Sequence, residues 1–186
     1  MDVTEVQELI KNNKGKALHL QGLMPTPYTW EHVIAQLDYS FHEPDDFEPS
    51  FGDYAKGSLQ KRNNFYLVMF NIKDQCLPKF YEHADKLNKI NEREMTGTSL
   101  LTNLVGREEP VEIHKDRQDH MYWQLIGESI WRIHESQDGP YTEYLLKAGD
   151  VMWIPTQVWH TVITKAPRAA VTMSWTPFGE KPIWEN

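Results

Sequence analysis

Apolar and polar positions along the chain fall into two rhythms. Val3, Val6, Leu9 and Ile10 recur at helical spacing, with Asp2 or Thr4 as N-cap and Gly15 as the stop. After Thr29, the stretch WEHVIAQLDY places Trp30, Val33, Ile34 and Leu37 on one helical stripe. Leu77, Phe80, Tyr81, Ala84, Leu87 and Ile90 make a third stripe, which predicts a helix from Lys73 to Glu94, ended by the Gly97 region. Between these, Lys16 to Leu23 alternates as a strand does, and Asn64 to Ile72 is rich in aromatic and branched residues, a second strand pattern. Residues 41–58 hold two prolines, two glycines and a cluster of acids, which predicts a long loop. From Ser99 onward the period shortens to that of strands: SLLTNLVG, PVEIHKD, HMYWQLIG, ESIWRIHES, TEYLLK, DVMWIP, VWHTVIT and RAAVTMSWTPF. Turn residues separate them at Gly106, Gly127, Gly139-Pro140, Gly149-Asp150 and Pro167. Many short strands at this spacing suit a mainly β fold, and a double-sheet jelly roll suits them best, with N-terminal and inserted helices. No repeat or linker divides residues 1–186, so one domain is expected, its core at about residues 99–178.

Composition narrows the function classes. The chain has 19 Lys and Arg against 27 Asp and Glu, a formal charge of −8. Such a chain lacks the basic footprint of a non-specific nucleic-acid binder. The single Cys76 cannot close an internal disulfide, which fits a reducing compartment. No apolar run approaches the roughly 18 residues that span a bilayer. The opening stretch MDVTEVQELIKNNKGK carries no signal-peptide core. A cytoplasmic protein is expected. Seven Trp, eight Tyr and seven Phe favour a β-rich core or an aromatic-lined pocket.

The candidate chemistry lies between Pro110 and Trp175. His114 and Asp116 are two residues apart, so in a strand both point to one face while Lys115 looks away. His160 follows Asp116 after 43 residues. Two imidazoles and one carboxylate on one face, with positions left open, is the donor set of non-haem Fe(II) oxygenases. His120 shares the parity of His114 and Asp116 if no bulge intervenes. It reads as a fourth ligand, as a residue hydrogen-bonding a cosubstrate, or as a surface histidine.

Two spacings carry a resemblance. His114-x-Asp116, three residues, His120, six residues, Gly127 is similar to the first metal-binding signature of the cupin superfamily, and Gly149-x5-Pro155-x4-His160 to the second. In cupins the place of His120 usually holds a glutamate. With KALHLQGL and the WEHVIAQL helix before it and RAAVTMSW after it, the chain resembles a Jumonji-C-type, cupin-like 2-oxoglutarate oxygenase of the asparaginyl-hydroxylase and ribosomal-oxygenase branch. The resemblance implies Fe(II) held by His114, Asp116 and His160, with 2-oxoglutarate as cosubstrate, dioxygen as oxidant, and hydroxylation of a C–H bond as outcome. The protein's part would be orientation and exclusion of side reactions.

One departure concerns the far carboxylate of 2-oxoglutarate, which in a dry pocket needs a cation or several donors. The family commonly places a lysine two residues before the strand aromatic that is Trp131 here, and this chain has Ser129 there. Arg168 stands where other 2-oxoglutarate oxygenases put an arginine, on the strand after the distal histidine. It reads either as the anchor or as an exposed charge at the strand start. Tyr122 and Ser129 can add hydroxyl donors. Trp123, Trp131, Trp153, Trp159 and Trp175 are expected to fill the core between sheets, with Tyr122 or Trp175 as the alternative pocket lining. Met121, Met152 and Met173 read as packing. The acids from Glu43 to Glu48 read as a solvated loop, or as an attractor of a basic partner.

Three functions follow. An Fe(II)/2-oxoglutarate hydroxylase of a protein or small molecule ranks first. A metallocupin dioxygenase or isomerase without 2-oxoglutarate is motivated by Ser129 and His120. A non-catalytic metal-binding cupin is third. Substrate identity and oligomeric state, a homodimer included, are not written in the sequence.

Overall fold

Strand-period residues pair into two antiparallel sheets, and helical stripes cover one of them. The computed structural model describes residues 2–42, 59–62, 65–69, 72–91, 93, 95–104 and 112–176, those of 59–62 and 65–69 by their backbone. Helix α1 (Val3–Asn12), strand β1 (Leu18–Leu20) and helix α2 (Trp30–His42) come first. Strands β2 (Leu59–Arg62) and β3 (Phe65–Met69), helix α3 (Phe80–Asn91) and strand β4 (Met95–Asn103) follow. The C-terminal half holds β5 (Asp119–Ile126), β6 (Glu128–His134), β7 (Tyr141–Lys147), β8 (Val151–Ile154), β9 (Trp159–Ile163) and β10 (Arg168–Trp175). Among the described residues the larger sheet runs β1-β8-β5-β10-β4-β3-β2 and the smaller β7-β6-β9. From β5 onward the chain crosses between the sheets, as in a jelly roll.

Alternation along the larger sheet builds two cores from one set of strands. Met121, Trp123, Leu125, Val151, Trp153, Val171, Met173 and Trp175 face the helices, against Val6, Val33, Leu77, Phe80 and Leu87. Tyr122, Met152, Ile154 and Ala170 face the smaller sheet, against Trp131, Leu146 and Val162. Strands covered on both faces read as near-continuous apolar runs, which is how DHMYWQLI and DVMWIP read. This corrects the placement of the tryptophans. Trp123, Trp153 and Trp175 lie on the helix side, and Trp131 lies between the sheets. Trp175 donates its indole N–H to Asn88 at 3.0 Å, away from the inter-sheet space. Met121, Met152 and Met173 are fully buried, as packing residues are.

Several boundaries move for local reasons. Asp2, not Thr4, caps α1: its carboxylate accepts from the Glu5 N–H at 2.9 Å and Glu5 returns a bond to the Asp2 N–H at 2.8 Å. In α2 the stripe is rotated, so Val33, Gln36 and Ser40 are buried and Ile34 is exposed. The Gln36 side-chain oxygen Oε1 accepts from the Lys73 backbone N–H at 2.7 Å, which supports a polar residue on that buried face. Helix α3 starts at Phe80, not Lys73, because Lys79 adopts φ +60°, which interrupts the helix. Gly97 stops nothing; it lies inside β4. Strand β2 carries no alternation that marked it in advance. The loop expected over 41–58 begins with the last helical residues of α2, and its remainder lies outside the described residues, as does Gly106. Cys76 is free and buried. No helix among the described residues is long and apolar enough to cross a membrane.

Two turn residues tie the N-terminal segment and the hairpins together. Asp150 accepts from the Gly22 N–H at 2.8 Å, the Lys147 N–H at 3.0 Å and the His19 ring at 2.9 Å. Burial raises its pKa, but these donors outweigh it and hold the carboxyl below its ordinary value of 3.8. Its stabilisation is therefore complete above pH 3.8 and is lost as pH falls through the depressed value. Asp150→Asn turns an amide N–H towards these donors and is expected to cost about 1–3 kcal/mol at pH 7. In urea denaturation that difference should shrink as pH drops below 3.8. Gly127 turns β5 into β6 with φ +70°, and a Cβ there would lie 2.5 Å from the Pro167 carbonyl oxygen. Gly127→Ala should lower stability by about 1–3 kcal/mol through the strained φ alone, read from the same denaturation curves.

Candidate metal centre

His114, Asp116 and His160 come together although only His160 stands on a strand. Of the segment PVEIHKD, expected as a strand, the described residues from Glu112 make a single bridge: the His114 N–H donates to the His160 carbonyl at 3.0 Å, and the His160 N–H donates to the His114 carbonyl at 2.9 Å. The ladder stops there because the Asp116 carbonyl is taken by the next turn. It accepts from the Gln157 N–H at 3.2 Å and from the Thr156 hydroxyl at 3.1 Å.

The reciprocal bridge sets the two rings side by side, with centroids 4.3 Å apart. Asp116 Oδ1 lies 3.8 Å from His114 Nε2, and Oδ2 lies 3.5 Å from His160 Nε2. One donor atom from each residue falls within 4.8 Å of the others. Bonds of about 2.0–2.2 Å to one ion would draw such atoms to roughly 3 Å spacing, so small side-chain movements suffice. The protonation pattern fits as well. His114 Nδ1–H donates to the Glu112 carbonyl at 2.7 Å and His160 Nδ1–H to the Val158 carbonyl at 3.0 Å. Both bonds leave Nε2 as a bare lone pair facing the carboxylate, the outer arrangement usual for metal-bound histidine. Burial holds the His160 imidazole below its ordinary pKa, Asp116 opposing it, so the ring is neutral near pH 7. The donor set is chemically suited to Fe(II).

One side of the cluster is closed and the other open. The His160 side chain is 3% exposed, that of Asp116 29% and that of His114 40%. Trp131 closes the inner side, stacked on His160 at 22° with centroids 5.4 Å apart. Outside, Lys115 Nζ sits 4.5 Å above the Trp159 ring. His120 enters from β5. Its Nε2 lies 3.6 Å from Asp116 Oδ2, and its Nδ1 lies 3.2 Å from the Thr172 hydroxyl and 3.0 Å from that of Ser174. It stands beside the carboxylate but outside the three-atom group.

The remaining expected residues lie deeper between the sheets. Arg168 shares the parity of inward-facing Ala170, and it is 3% exposed. Its guanidinium donates to the Tyr122 hydroxyl and lies 5.5 Å from the Tyr122 ring, while its Nε–H has no partner. Burial lowers its pKa to about 10, which leaves it cationic at neutral pH. No carboxylate among the described residues pairs with it. Tyr122 meets Trp131 edge-on at 4.6 Å. Ser129 is already engaged: it donates to Gln124 at 2.8 Å and accepts from the Trp131 indole at 3.2 Å. Strand parity placed Gln124 on the face of Tyr122, but sequence reasoning missed Thr172 and Ser174 as inward polar residues. Their parity with Arg168 was the available signal.

A sequence profile described as the JmjC domain matches residues 77–181, more than half of the chain. The chain belongs to the JmjC domain family. Its mainly β fold with antiparallel sheets is the jelly-roll fold of that family. Among solved structures, YcfD, a ribosomal oxygenase from Escherichia coli, superposes with a TM-score of 0.64 at 14% identity, covering 96% of this chain and 52% of that one. The chain thus spans about half the length of YcfD. SnoN, a non-haem α-ketoglutarate-dependent epimerase from nogalamycin biosynthesis, gives 0.57 at 12% identity, over 95% of this chain and 86% of that one. At such identities these likenesses speak for the fold. No curated protein sequence matches the chain significantly.

If the three donors act as one site, Co(II) titration followed by visible absorption should show His114→Ala, Asp116→Ala and His160→Ala each weakening binding by more than about 100-fold. His120→Ala should weaken it by about tenfold, as loss of an outer partner does. Equal losses for all four would make His120 a ligand.

Proposed function

We propose that this protein is an Fe(II)- and 2-oxoglutarate-dependent oxygenase that hydroxylates a C–H bond of a protein side chain or small molecule. The observation that carries this reading is Arg168: a buried guanidinium, without a carboxylate partner among the described residues, linked through Tyr122 and Trp131 to the His114/Asp116/His160 cluster. A buried unpaired cation is costly to a fold, and a dianionic ligand would repay that cost. SnoN, described as α-ketoglutarate-dependent, supports the cosubstrate; YcfD, described as a ribosomal oxygenase, supports a protein substrate among the options.

In this reading His114, Asp116 and His160 hold Fe(II) on one face. The ion, when bound, supplies the redox chemistry that couples dioxygen and 2-oxo-acid decarboxylation to C–H oxidation. Arg168 takes the far carboxylate, in place of the family's lysine at Ser129. Tyr122 orients the guanidinium, and its hydroxyl adds a further group beside the ligand. Ser129, bonded to Trp131 and Gln124, holds the indole against His160. Trp131 keeps water from the inner side of His160, and the open side at His114 and Asp116 admits the substrate.

A 2-oxoglutarate-independent metallocupin is the second reading, favoured by His120 beside Asp116. Anaerobic titration with Mn(II) and 2-oxoglutarate separates the two. The first reading expects saturable binding, and iron-dependent release of labelled carbon dioxide from 1-labelled 2-oxoglutarate in air. Arg168→Ala should raise the Kd for 2-oxoglutarate by roughly 100-fold, about 2.7 kcal/mol. Arg168→Lys should fall between, because an ammonium lacks the forked donor geometry. Binding that is absent in the wild type, or unchanged in Arg168→Ala, would reject the reading.

A further inference from the structure

Among the described residues the segment carrying Asp116 has one ladder residue, His114, so other contacts help to hold it against β9. Asp119, 3% exposed at the start of β5, is bonded on both carboxylate oxygens. Oδ2 accepts from Arg93 at 2.8 Å, and Oδ1 accepts from the Thr156 N–H at 2.6 Å. Arg93 also donates to the Thr176 carbonyl and to Asn91 Oδ1, the latter at 2.6 and 3.1 Å. Its guanidinium lies 5.9 Å from the Trp153 ring. The pair thus joins the link after α3, the start of β5, the turn between β8 and β9, and the end of β10. Thr156 and Gln157 then hold the Asp116 carbonyl from that turn. Gln157 does so at φ +67°, a left-handed conformation that a glutamine leaves readily unless held.

We infer that Asp119 is a positioning residue for the metal-ligand loop: with Arg93 and Thr156 it forms a buried strut that fixes the turn against which Asp116 is hung. Asp119 touches none of the three ligand side chains and acts through the Thr156 and Gln157 backbone. A partly buried ion pair contributes little net stability compared with hydrophobic residues of equal volume, so fixing a geometry is the role it suits. The inference rests on the oxygenase reading only for the identity of what the loop holds.

Two readouts test it, one of them independent of metal. In metal-free protein, hydrogen exchange of the Gln157, His114 and His160 amides should quicken by about tenfold or more in Asp119→Asn, while amides of the β4–β10 ladder keep wild-type rates. Co(II) affinity of the same variant should fall by about 10- to 100-fold. Thr156→Val, which removes only the hydroxyl bond to the Asp116 carbonyl, should shift both readouts in the same direction by about fivefold. Thr156→Ser should restore both to within about twofold, because it keeps the hydroxyl. Should Asp119→Asn fail to fold, the Thr156 pair decides. Wild-type exchange at those three amides in Asp119→Asn, or a Thr156→Ser as defective as Thr156→Val, would overturn the strut. A wild-type protein that takes up no Co(II) would instead defeat the oxygenase reading, with the exchange result still deciding the role of Asp119.

Discussion

Two backbone hydrogen bonds between His114 and His160 are the constraint on which the site depends. They are ladder bonds without a ladder: one residue on a bent segment paired to one residue on β9. Backbone pairing at that point does what side-chain packing alone would do poorly. It fixes the separation of the two Cα atoms, and with it the approach of the two rings. Each ring is then locked by its own Nδ1–H to a carbonyl two residues earlier, at Glu112 and at Val158. The same local device is used twice, so both lone pairs are presented in the same tautomer.

The cluster sits at a boundary between dry and wet. Inside it, Trp131, Tyr122 and Arg168 form a continuous line of contacts from the buried histidine into the inter-sheet space. Outside it, Asp116 and His114 remain accessible. Low dielectric on one side strengthens the field of the Arg168 cation, while solvent on the other lowers the desolvation cost of placing a carboxylate at Asp116. Among the described residues Ser129 bonds Gln124 and His120 lies within bonding distance of Thr172 and Ser174, whereas the Arg168 Nε–H has no partner.

Helices α1, α2 and α3 are more than decoration on this arrangement. By covering the far face of the larger sheet they let β5, β8 and β10 be apolar on one side and mixed on the other. A sheet with one wet face could not hold Trp123, Trp153 and Trp175 there. Without that packed layer the inward residues would have no rigid wall from which to point.

Much of this was legible in the residues themselves. Strand periods, turn residues and the two spacings around His114 and His160 pointed to a jelly roll and to the donor set, because parity and turn chemistry are local properties of a chain. Alternation also implied that Tyr122 and Gln124 share a face. What lay beyond reach were choices made by partners distant in sequence. Whether Arg168 pointed inward depended on its register with β4 and on where β5 bulges, between its pairings with Ala169 and Ala170. That the tryptophans divide between two cores depended on which face the helices cover. That the segment around His114 is not a strand was decided by the turn at Thr156 and Gln157, which takes the carbonyl a ladder would have used. Local pattern determines which face a side chain takes; only the folded chain determines what that face meets.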